Sequence, residues 1–278
     1  MSLSYEKRLH RVLDHIHDNP DGDLSLDALA DVAAMSRFHW HRVFHAMTGE
    51  TAAQAVRRMR LQRASVALVN GDNPVAVIAR SVGYPNSPSF ARAFGEAYGM
   101  SPTAFRNRGE LRPFSSTCIP EVMIMYPVEI KYEPARRLAA VAHTGAYSDI
   151  GCAFEKLSAT MAARGLFAQA GAMVAVFYDD PSVTPVAELR SHAGFEILGD
   201  TPLATPLDTV TLPAGPHAVL TYTGPYAGLP AAYDQLYAVS LPKSGREPAD
   251  LPPFEIYRNS PMDVAPDALI TEICVALR

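Results

Sequence analysis

Apolar positions divide the chain into two parts with different periods. Through the first part they recur every three to four residues, the period of an amphipathic helix. A helix over residues 4–18, for example, is predicted by an apolar stripe formed by Leu9, Val12, Leu13 and Ile16. From residue 126 onward the apolar residues occur in short runs of strand length, separated by proline and glycine. The pattern predicts an all-α N-terminal domain followed by an α+β domain.

The all-α part contains the same helical unit twice, over residues 24–57 and 75–106. Equivalent residues lie 50 positions apart in the second half of each unit and 49 apart ahead of a central turn, where Ala34 matches Gly83. A change of one residue within a turn preserves the helix register on both sides. Each unit is therefore predicted to be a helix-turn-helix, two helices joined by a tight turn.

Capping residues indicate where these helices begin. Ser25 and Ser36 precede the two helices of the first unit, and Asn86 or Ser87 precedes the second helix of the second unit. Each has a side-chain oxygen that can accept the free backbone N–H groups of a first helical turn. A long helix over residues 51–70 joins the units and, at about 1.5 Å per residue, separates them by roughly one turn of DNA.

These residues resemble the AraC/XylS family of transcription regulators over Tyr5–Arg112. The second unit carries the most specific match, in the motifs Val82-Gly83-Tyr84, Ser89-Phe90-x-Arg92-x-Phe94 and Tyr98-Gly99-x-Ser101-Pro102. The first unit departs from the family at Ala34, where glycine is common, which indicates a slightly different turn. The resemblance implies a DNA-binding domain over residues 1–112.

The resemblance also implies that exposed residues near the start of each second helix read base edges in two neighbouring segments of the major groove. Carried over by position, these residues are Arg37, Phe38, His41, Arg42, Ser87, Ser89 and Arg92. Arginine can bridge the acceptors of guanine, which agrees with that role. Structural roles stay open, because Arg42 and Arg92 also suit ion pairs and Phe38 a partly buried position. The expected partners are double-stranded DNA, with an operator of about 20 base pairs, and RNA polymerase.

Charge and cysteine content agree with this division. Residues 1–112 carry 14 Lys and Arg against 11 Asp and Glu, whereas residues 113–278 carry 10 against 18. Two unrelated domains can differ this much by chance, but a cationic first part suits nucleic acid.

The three cysteines show no metal-binding or disulfide spacing, and His39 and His41 point to different sides of a helix. No metal or cofactor is expected. No signal peptide or membrane span is predicted either, so the expected location is the cytoplasm.

The α+β part is also duplicated, with an offset of 79. Thr144-Gly145-x-Tyr147 recurs as Thr223-Gly224-x-Tyr226, and the same offset relates Tyr178 to Tyr257. Each copy is predicted to contain a strand, a helix and a pair of strands, which gives a pseudo-twofold α+β domain with a cleft where its halves meet. Residues 113–125 lack periodicity and contain prolines, and are predicted to be a linker.

Residues 126–278 resemble the GyrI-like effector-binding domain, on the repeated Thr-Gly-x-Tyr motif and on Glu255-x-Tyr257-x-x-Ser260-Pro261. The resemblance implies that Glu255, among aromatic rings, receives a lipophilic ligand that is cationic or aromatic, since such rings attract cations. The aromatic candidates are Tyr147, Tyr178, Tyr226 and Tyr257. At the offset of 79 the counterpart of Glu255 is Val176, so only one of the two copies is predicted to carry an acid at this position. The structural alternatives are an exposed carboxylate and tyrosines of the core.

Together these patterns predict a multidomain transcription regulator that is not an enzyme, acting as a monomer or homodimer. A DNA-binding domain with two helix-turn-helix units precedes a pseudo-twofold duplicated GyrI-like domain that binds a small-molecule effector. Two alternatives remain open. One is a hydrolase of small electrophiles in which Glu255 acts with Tyr147 or Tyr226, and the other is a protein-binding module.

Overall fold

The structure, a computed structural model, describes residues 5–111 and 126–278. Two compact units can be distinguished among these residues. One comprises residues 5–35 and 47–111, and the other comprises residues 36–46 and 126–278. The predicted linker over residues 113–125 lies outside the described residues, and the predicted domain boundaries stay a prediction.

Helices account for all the regular structure described before residue 112, as the apolar period predicted. They are α1 Tyr5–Asp18, α2 Leu26–Ala33, α3 Trp40–Thr48, α4 Ala52–Asn70, α5 Val75–Ser81, α6 Ser87–Tyr98 and α7 Pro102–Arg108. The two predicted helix-turn-helix units correspond to α2 with α3 and to α5 with α6. The largest buried side chains contributed by α4 to α7 form one core, which includes Leu61, Leu68, Ile78, Phe90, Phe94 and Phe105.

The predicted N-caps at Ser25 and Asn86 are confirmed, whereas Ser36 does not directly precede an α-helix. The Ser25 side chain accepts the Ala28 N–H at 3.4 Å, and of the two candidates for α6 it is Asn86 that accepts the Ser89 N–H, at 2.9 Å. Ser36 accepts the Phe38 N–H at 3.3 Å. The α-helix that follows begins only at Trp40, three residues later than predicted, because residues 37–39 form a tighter turn.

The central turns of the two units are alike, so the expectation of a different turn at Ala34 was wrong. Ala34 has φ 52° and Gly83 has φ 79°, which places both in the left-handed region. In each turn the next N–H bonds back to a helix carbonyl, from Met35 to Ala30 at 3.1 Å and from Tyr84 at 2.9 Å. Ala34 therefore adopts a conformation that favours glycine.

The C-terminal part forms one eight-stranded antiparallel sheet. Its strands are β1 Val128–Glu133, β2 Arg136–Thr144, β3 Ala170–Phe177, β4 Arg190–Ile197, β5 Asp208–Leu212, β6 Gly215–Thr223, β7 Phe254–Tyr257 and β8 Ile270–Ala276. Its helices are α8 Gly151–Ala163, α9 Leu229–Gln235 and α10 Leu241–Ser244, and a π-helical segment, Leu236–Ser240, joins the last two. Short 3₁₀ turns precede α8 and α9.

Strand order confirms the predicted pseudo-twofold duplication. The order β1-β6-β8-β7-β3-β4-β2-β5 reads as two copies of one arrangement related by an axis between β7 and β3. The outer strands are exchanged: β1, from the first copy, pairs with β6 of the second, and β5 of the second copy pairs with β2 of the first. The two copies therefore complete each other's sheet.

The predicted offset of 79 was wrong for the central strands. Ala175 and Phe177 pack in one layer together with Tyr257, whereas Val176 and Tyr178 pack on the other side of the sheet. Side chains alternate between the faces of a strand, so an error of one residue exchanges the faces. The offset here is 80, and the counterpart of Glu255 is Ala175, which lies directly opposite it across β3 and β7.

The left-handed turns lead to a test of stability. Replacing Ala34 with glycine is expected to raise the free energy of unfolding by about 0.5–1 kcal/mol, because the strain of a left-handed alanine exceeds the entropic cost of glycine. Gly83→Ala is expected to lower it by at least about 2 kcal/mol, because a Cβ there would lie 2.5 Å from the Pro20 carbonyl oxygen.

Gly99→Ala is the matched control, since Gly99 also has a left-handed φ but its Cβ would meet no atom within 4 Å. That variant should lose only the conformational cost of about 1 kcal/mol. Urea unfolding of the four proteins measures these differences. Equal losses at Gly83 and Gly99 would contradict the close approach at the first turn.

Candidate functional site

Glu255 lies on β7 at the centre of the sheet and is only 3% exposed. Its two carboxylate oxygens accept hydrogen bonds from different tyrosines, Oε1 from the Tyr233 hydroxyl at 3.0 Å and Oε2 from the Tyr257 hydroxyl at 2.8 Å. The alternative of a solvent-exposed carboxylate is therefore excluded. The ring of Tyr226 packs edge-on against Tyr257, with centroids 5.5 Å apart.

Burial dominates the electrostatics of this carboxyl group. It raises the pKa of Glu255 to about 7, although the hydrogen bonds from Tyr257 and Tyr233 and the positive charge of Arg42 act in the opposite direction. The pKa values of Tyr233 and Tyr257 are raised as well, by burial and by the nearby carboxylate. The phenols thus stay protonated and donate to Glu255 near neutral pH.

Arg42 of α3 lies beside the same tyrosines. Its guanidinium carbon is 5.6 Å from the ring centroid of Tyr233 and 5.9 Å from that of Tyr237, and its Nη2 donates to the Asp179 carbonyl at 2.7 Å. Burial lowers the pKa of Arg42, but the nearby Tyr237, Tyr233 and Asp180 raise it by more. The net pKa is above the ordinary value, so the guanidinium stays charged. The prediction that Arg42 is exposed was wrong, because its side chain is half-buried against these tyrosines.

Two more residues of the segment 36–46, which contains most of α3, contact the α+β part. Both belong to the same compact unit. His39 Nδ1 lies 2.7 Å from the Tyr237 hydroxyl and its Nε2 lies 2.8 Å from the Leu251 carbonyl. Because a carbonyl only accepts, Nε2 must carry the hydrogen and Nδ1 must accept from the tyrosine. Burial and the charge of Arg42 lower the pKa of His39 to about 3, which keeps the ring neutral. The Ser36 hydroxyl donates to Asp250 at 2.8 Å.

The other predicted ligand contacts are divided between the two faces of the sheet. The Tyr147 hydroxyl donates to the Asp179 carbonyl at 2.9 Å, the same oxygen that accepts from Arg42. Tyr178 lies on the opposite face, where it lines a separate cavity of about 210 Å³ together with Val176 and other residues. Glu255, Tyr257 and Tyr226 are thus brought together, Tyr147 lies at the border of this group, and Tyr178 is apart from it.

Sequence reasoning missed Tyr233 and Tyr237. They stand four residues apart and stack with centroids 6.4 Å apart and an interplanar angle of 9°. An aromatic pair at that spacing is typical of the buried face of a helix, so nothing distinguished it from core. The π-helical segment that contains Tyr237 is the signal that the structure adds, because such segments often occur at functional sites.

The predicted DNA-reading residues differ in exposure. In the second unit Ser89 and Arg92 are exposed and Ser87 is half-buried, and the Arg92 Nε lies 3.7 Å from Glu96 on the same helix. In the first unit Arg37 is exposed and Phe38 is half-buried, but His41 is only 8% exposed. The predicted exposure of His41 was therefore wrong, because its ring packs against Trp40, with centroids 5.2 Å apart. Contact with DNA stays a prediction for the whole set.

Comparison with known families decides the class of the chain. The model described as the GyrI-like small molecule binding domain matches residues 126–278, more than half of the chain. The chain belongs to the GyrI-like family. A helix-turn-helix model matches residues 29–108, which places an AraC-type DNA-binding domain ahead of the GyrI-like domain.

Curated relatives resemble the helix-turn-helix part that precedes the GyrI-like domain. RclR, the RCS-specific HTH-type transcriptional activator of Escherichia coli (strain K12), is 33% identical over 108 residues, which are 39% of this chain and 38% of RclR. The regulatory protein SoxS of Salmonella typhimurium is 26% identical over 106 residues, 38% of this chain and 99% of SoxS. The match thus spans well under half the length of RclR.

Among solved structures, the EcmrR–DNA complex in EcmrR-RPo is similar with a TM-score of 0.49 and 15% identity, covering 57% of this chain and 59% of that one.

Within the described residues, no group of three or more His, Cys, Asp or Glu side chains is arranged to hold a metal ion. None of the helices described is both long enough and apolar enough to cross a membrane.

The raised pKa of Glu255 in the GyrI-like domain predicts a pH-dependent stability. The folded-state pKa, about 7, exceeds the ordinary value of 4.5. The folded protein therefore keeps a proton that the unfolded chain has lost, and its free energy of unfolding falls as the pH rises from about 4.5 to about 7. Above that range both states are ionised and this contribution is constant.

Urea unfolding across that pH range, with Glu255→Gln as reference, isolates the effect, because glutamine does not titrate and other groups cancel in the difference. The groups that face the carboxyl do not interfere: Tyr226, Tyr233 and Tyr257 have raised pKa values and Arg42 stays charged. A difference between the two proteins that does not vary with pH would contradict the assignment.

Proposed function

We propose that this protein is a DNA-binding transcription regulator whose GyrI-like domain binds a small lipophilic cation at Glu255. The observation that carries the proposal is a buried carboxylate held by the hydroxyls of Tyr233 and Tyr257 with a further ring, Tyr226, beside them. The proposed operator has two segments, one for each helix-turn-helix unit, and the chain is proposed to act on RNA polymerase from it.

The chemistry of the site favours a cation. A carboxylate removed from water is costly unless a positive charge accompanies it, and two phenol hydrogen bonds offset only part of that cost. The tyrosine rings supply faces that attract cations and apolar surface that suits a lipophilic body. A neutral ligand would gain the apolar contact but not the attraction to the carboxylate.

The second helix-turn-helix unit supports the proposed interaction with DNA. Asn86 caps α6, and the exposed Ser89 and Arg92 lie within its first two turns, with Phe90 and Phe94 buried on the other side. This arrangement fixes the helix by its apolar face and leaves polar side chains to approach the major groove. The names of RclR and SoxS as regulators agree with this function.

The hydrolase alternative is not favoured by the contacts of the carboxyl group. It requires Glu255 to act with Tyr147 or Tyr226, whereas the hydroxyls bonded to Glu255 are those of Tyr233 and Tyr257. The Tyr147 hydroxyl bonds to backbone groups of Asp179 instead.

Ligand binding can be tested with tetraphenylphosphonium, a lipophilic cation, and triphenylphosphine oxide as a neutral analogue. Glu255→Gln is expected to weaken binding of the cation at least about tenfold, because it removes the negative charge, and to leave binding of the neutral analogue unchanged. Glu272→Gln is the control, because Glu272 is also largely buried but forms an ion pair with Arg258. Calorimetric titration measures both affinities. Equal affinity of wild type and Glu255→Gln for the cation would refute the proposal.

DNA binding can be tested on operators selected from random duplexes with the purified protein. Arg92→Ala is expected to weaken specific binding by about five- to 150-fold, the range for loss of one good base contact of about 1–3 kcal/mol. Lys156→Ala removes the same charge from the exposed surface of α8 and serves as control. Fluorescence anisotropy gives the affinities. Similar affinity in both variants would contradict a reading role for Arg92.

A further inference from the structure

Arg42 already occupies the position that the proposed function gives to a ligand. Its guanidinium lies over the face of Tyr233, whose hydroxyl donates to Glu255, and it is the cationic group whose charge acts on that carboxylate. A delocalised cation on a tyrosine face beside a buried acid is the arrangement expected of an effector complex.

We propose that Arg42 is a built-in ligand of the Glu255 site, and that a lipophilic cation activates the protein by displacing it. This inference rests on the proposed function, since it requires Glu255 to bind cations. It adds the mechanism of regulation: effector and Arg42 compete for one site, so the effector state and the Arg42-bound state exclude each other.

The competition follows from the geometry around Tyr233. The ring of Tyr233 that supports Arg42 also presents its hydroxyl to Glu255, so a ligand that contacts the carboxylate and the same face of this ring approaches the Arg42 guanidinium. Two positive charges close together beside a buried carboxylate repel each other strongly, because the interior screens charges weakly. The single carboxylate of Glu255 can compensate one positive charge, so the Arg42 guanidinium leaves when the effector cation binds.

Displacement of Arg42 matters because of the segment that carries it. Ser36, His39 and Arg42 follow one another at three-residue intervals, and all three bond to residues of the α+β part. The same segment is the predicted DNA-reading helix of the first unit. Nη2 of Arg42 donates to the Asp179 carbonyl and Nη1 is buried, so in this state neither nitrogen is available to a base.

The bound state of Arg42 is held by well-placed partners. Asp179, whose carbonyl receives Arg42, is itself fixed by an ion pair with Arg190, with Nη2 and Oδ1 2.7 Å apart. His39 adds a neutral contact to Tyr237 that does not depend on the effector's charge. A cationic effector can therefore replace Arg42 but not His39. The contacts that remain determine how tightly the effector must bind to release the segment.

The first test measures binding of tetraphenylphosphonium by the full chain. Arg42→Ala is expected to raise the affinity at least about tenfold, because the site no longer has to lose its own cation first. Arg37→Ala is the matched control: it removes an exposed arginine of the same segment that lies over Phe38. Circular dichroism and the emission of Trp40, the single tryptophan of the chain, verify folding. Unchanged affinity in Arg42→Ala would overturn the proposal.

The second test leaves Arg42 in place. Tyr237→Phe removes the hydroxyl that donates to His39 and leaves a buried acceptor unsatisfied, which destabilises the bound state of the segment. Without effector, its affinity for a selected operator is expected to rise at least about fivefold, and the further gain on adding tetraphenylphosphonium is expected to shrink. Tyr222→Phe, which loses a partly buried hydrogen bond to the Pro225 carbonyl, is the control. An operator affinity equal in both variants would contradict the proposal.

The outcomes separate this inference from the function on which it rests. If the wild type binds the cation through Glu255 but Arg42→Ala binds it no better, the proposed function stands and the built-in ligand is refuted. If neither the wild type nor Arg42→Ala binds the cation, the proposed function itself fails. Binding by Arg42→Ala that exceeds binding by the wild type, and is lost on adding Glu255→Gln, supports both.

Discussion

A carboxylate kept away from water has to be compensated, and much of the C-terminal part of this protein is arranged around that requirement. Glu255 stands at the pseudo-twofold axis of the sheet, opposite Ala175. Two phenols donate to it, and a cation lies over the ring of one of them. The tyrosines hold the geometry, and the charge is supplied from a helix distant in sequence. Under the proposed competition, replacing Arg42 with another cation would release this helix from its contacts with the tyrosines.

Much of the fold could be predicted from the sequence, because the determining signals are local. The caps at Ser25 and Asn86 and the apolar stripes around Phe90 depend on residues within a few turns. The internal repeat predicted a helix and three strands in each copy of the α+β part, but it missed the fourth strand, β1 in the first copy and β5 in the second. The error at Val176 shows the limit of that method: a repeat in sequence does not reveal a one-residue shift, and in a strand such a shift exchanges the faces.

The site was predicted less completely, for a different physical reason. Glu255 was found through a motif, but its partners Tyr233 and Arg42 come from helices whose periodicity gives only an apolar face and a polar face. Periodicity cannot say that the polar face of α3 is covered. An arginine that packs against a neighbouring element and an exposed one have the same sequence signature, and only the positions of Tyr237 and Asp179 distinguish them.

The exchange of β1 and β5 between the two halves has a consequence for how this site could arise. Since each copy completes the other's sheet, one copy alone would be whole only as a homodimer, and the present domain corresponds to such a dimer joined into one chain. A homodimer is encoded once, so an acid at the central strand would appear twice, as two carboxylates facing each other in the positions of Ala175 and Glu255. Fusion of two gene copies removes that constraint and allows one half to carry the acid while the other keeps alanine.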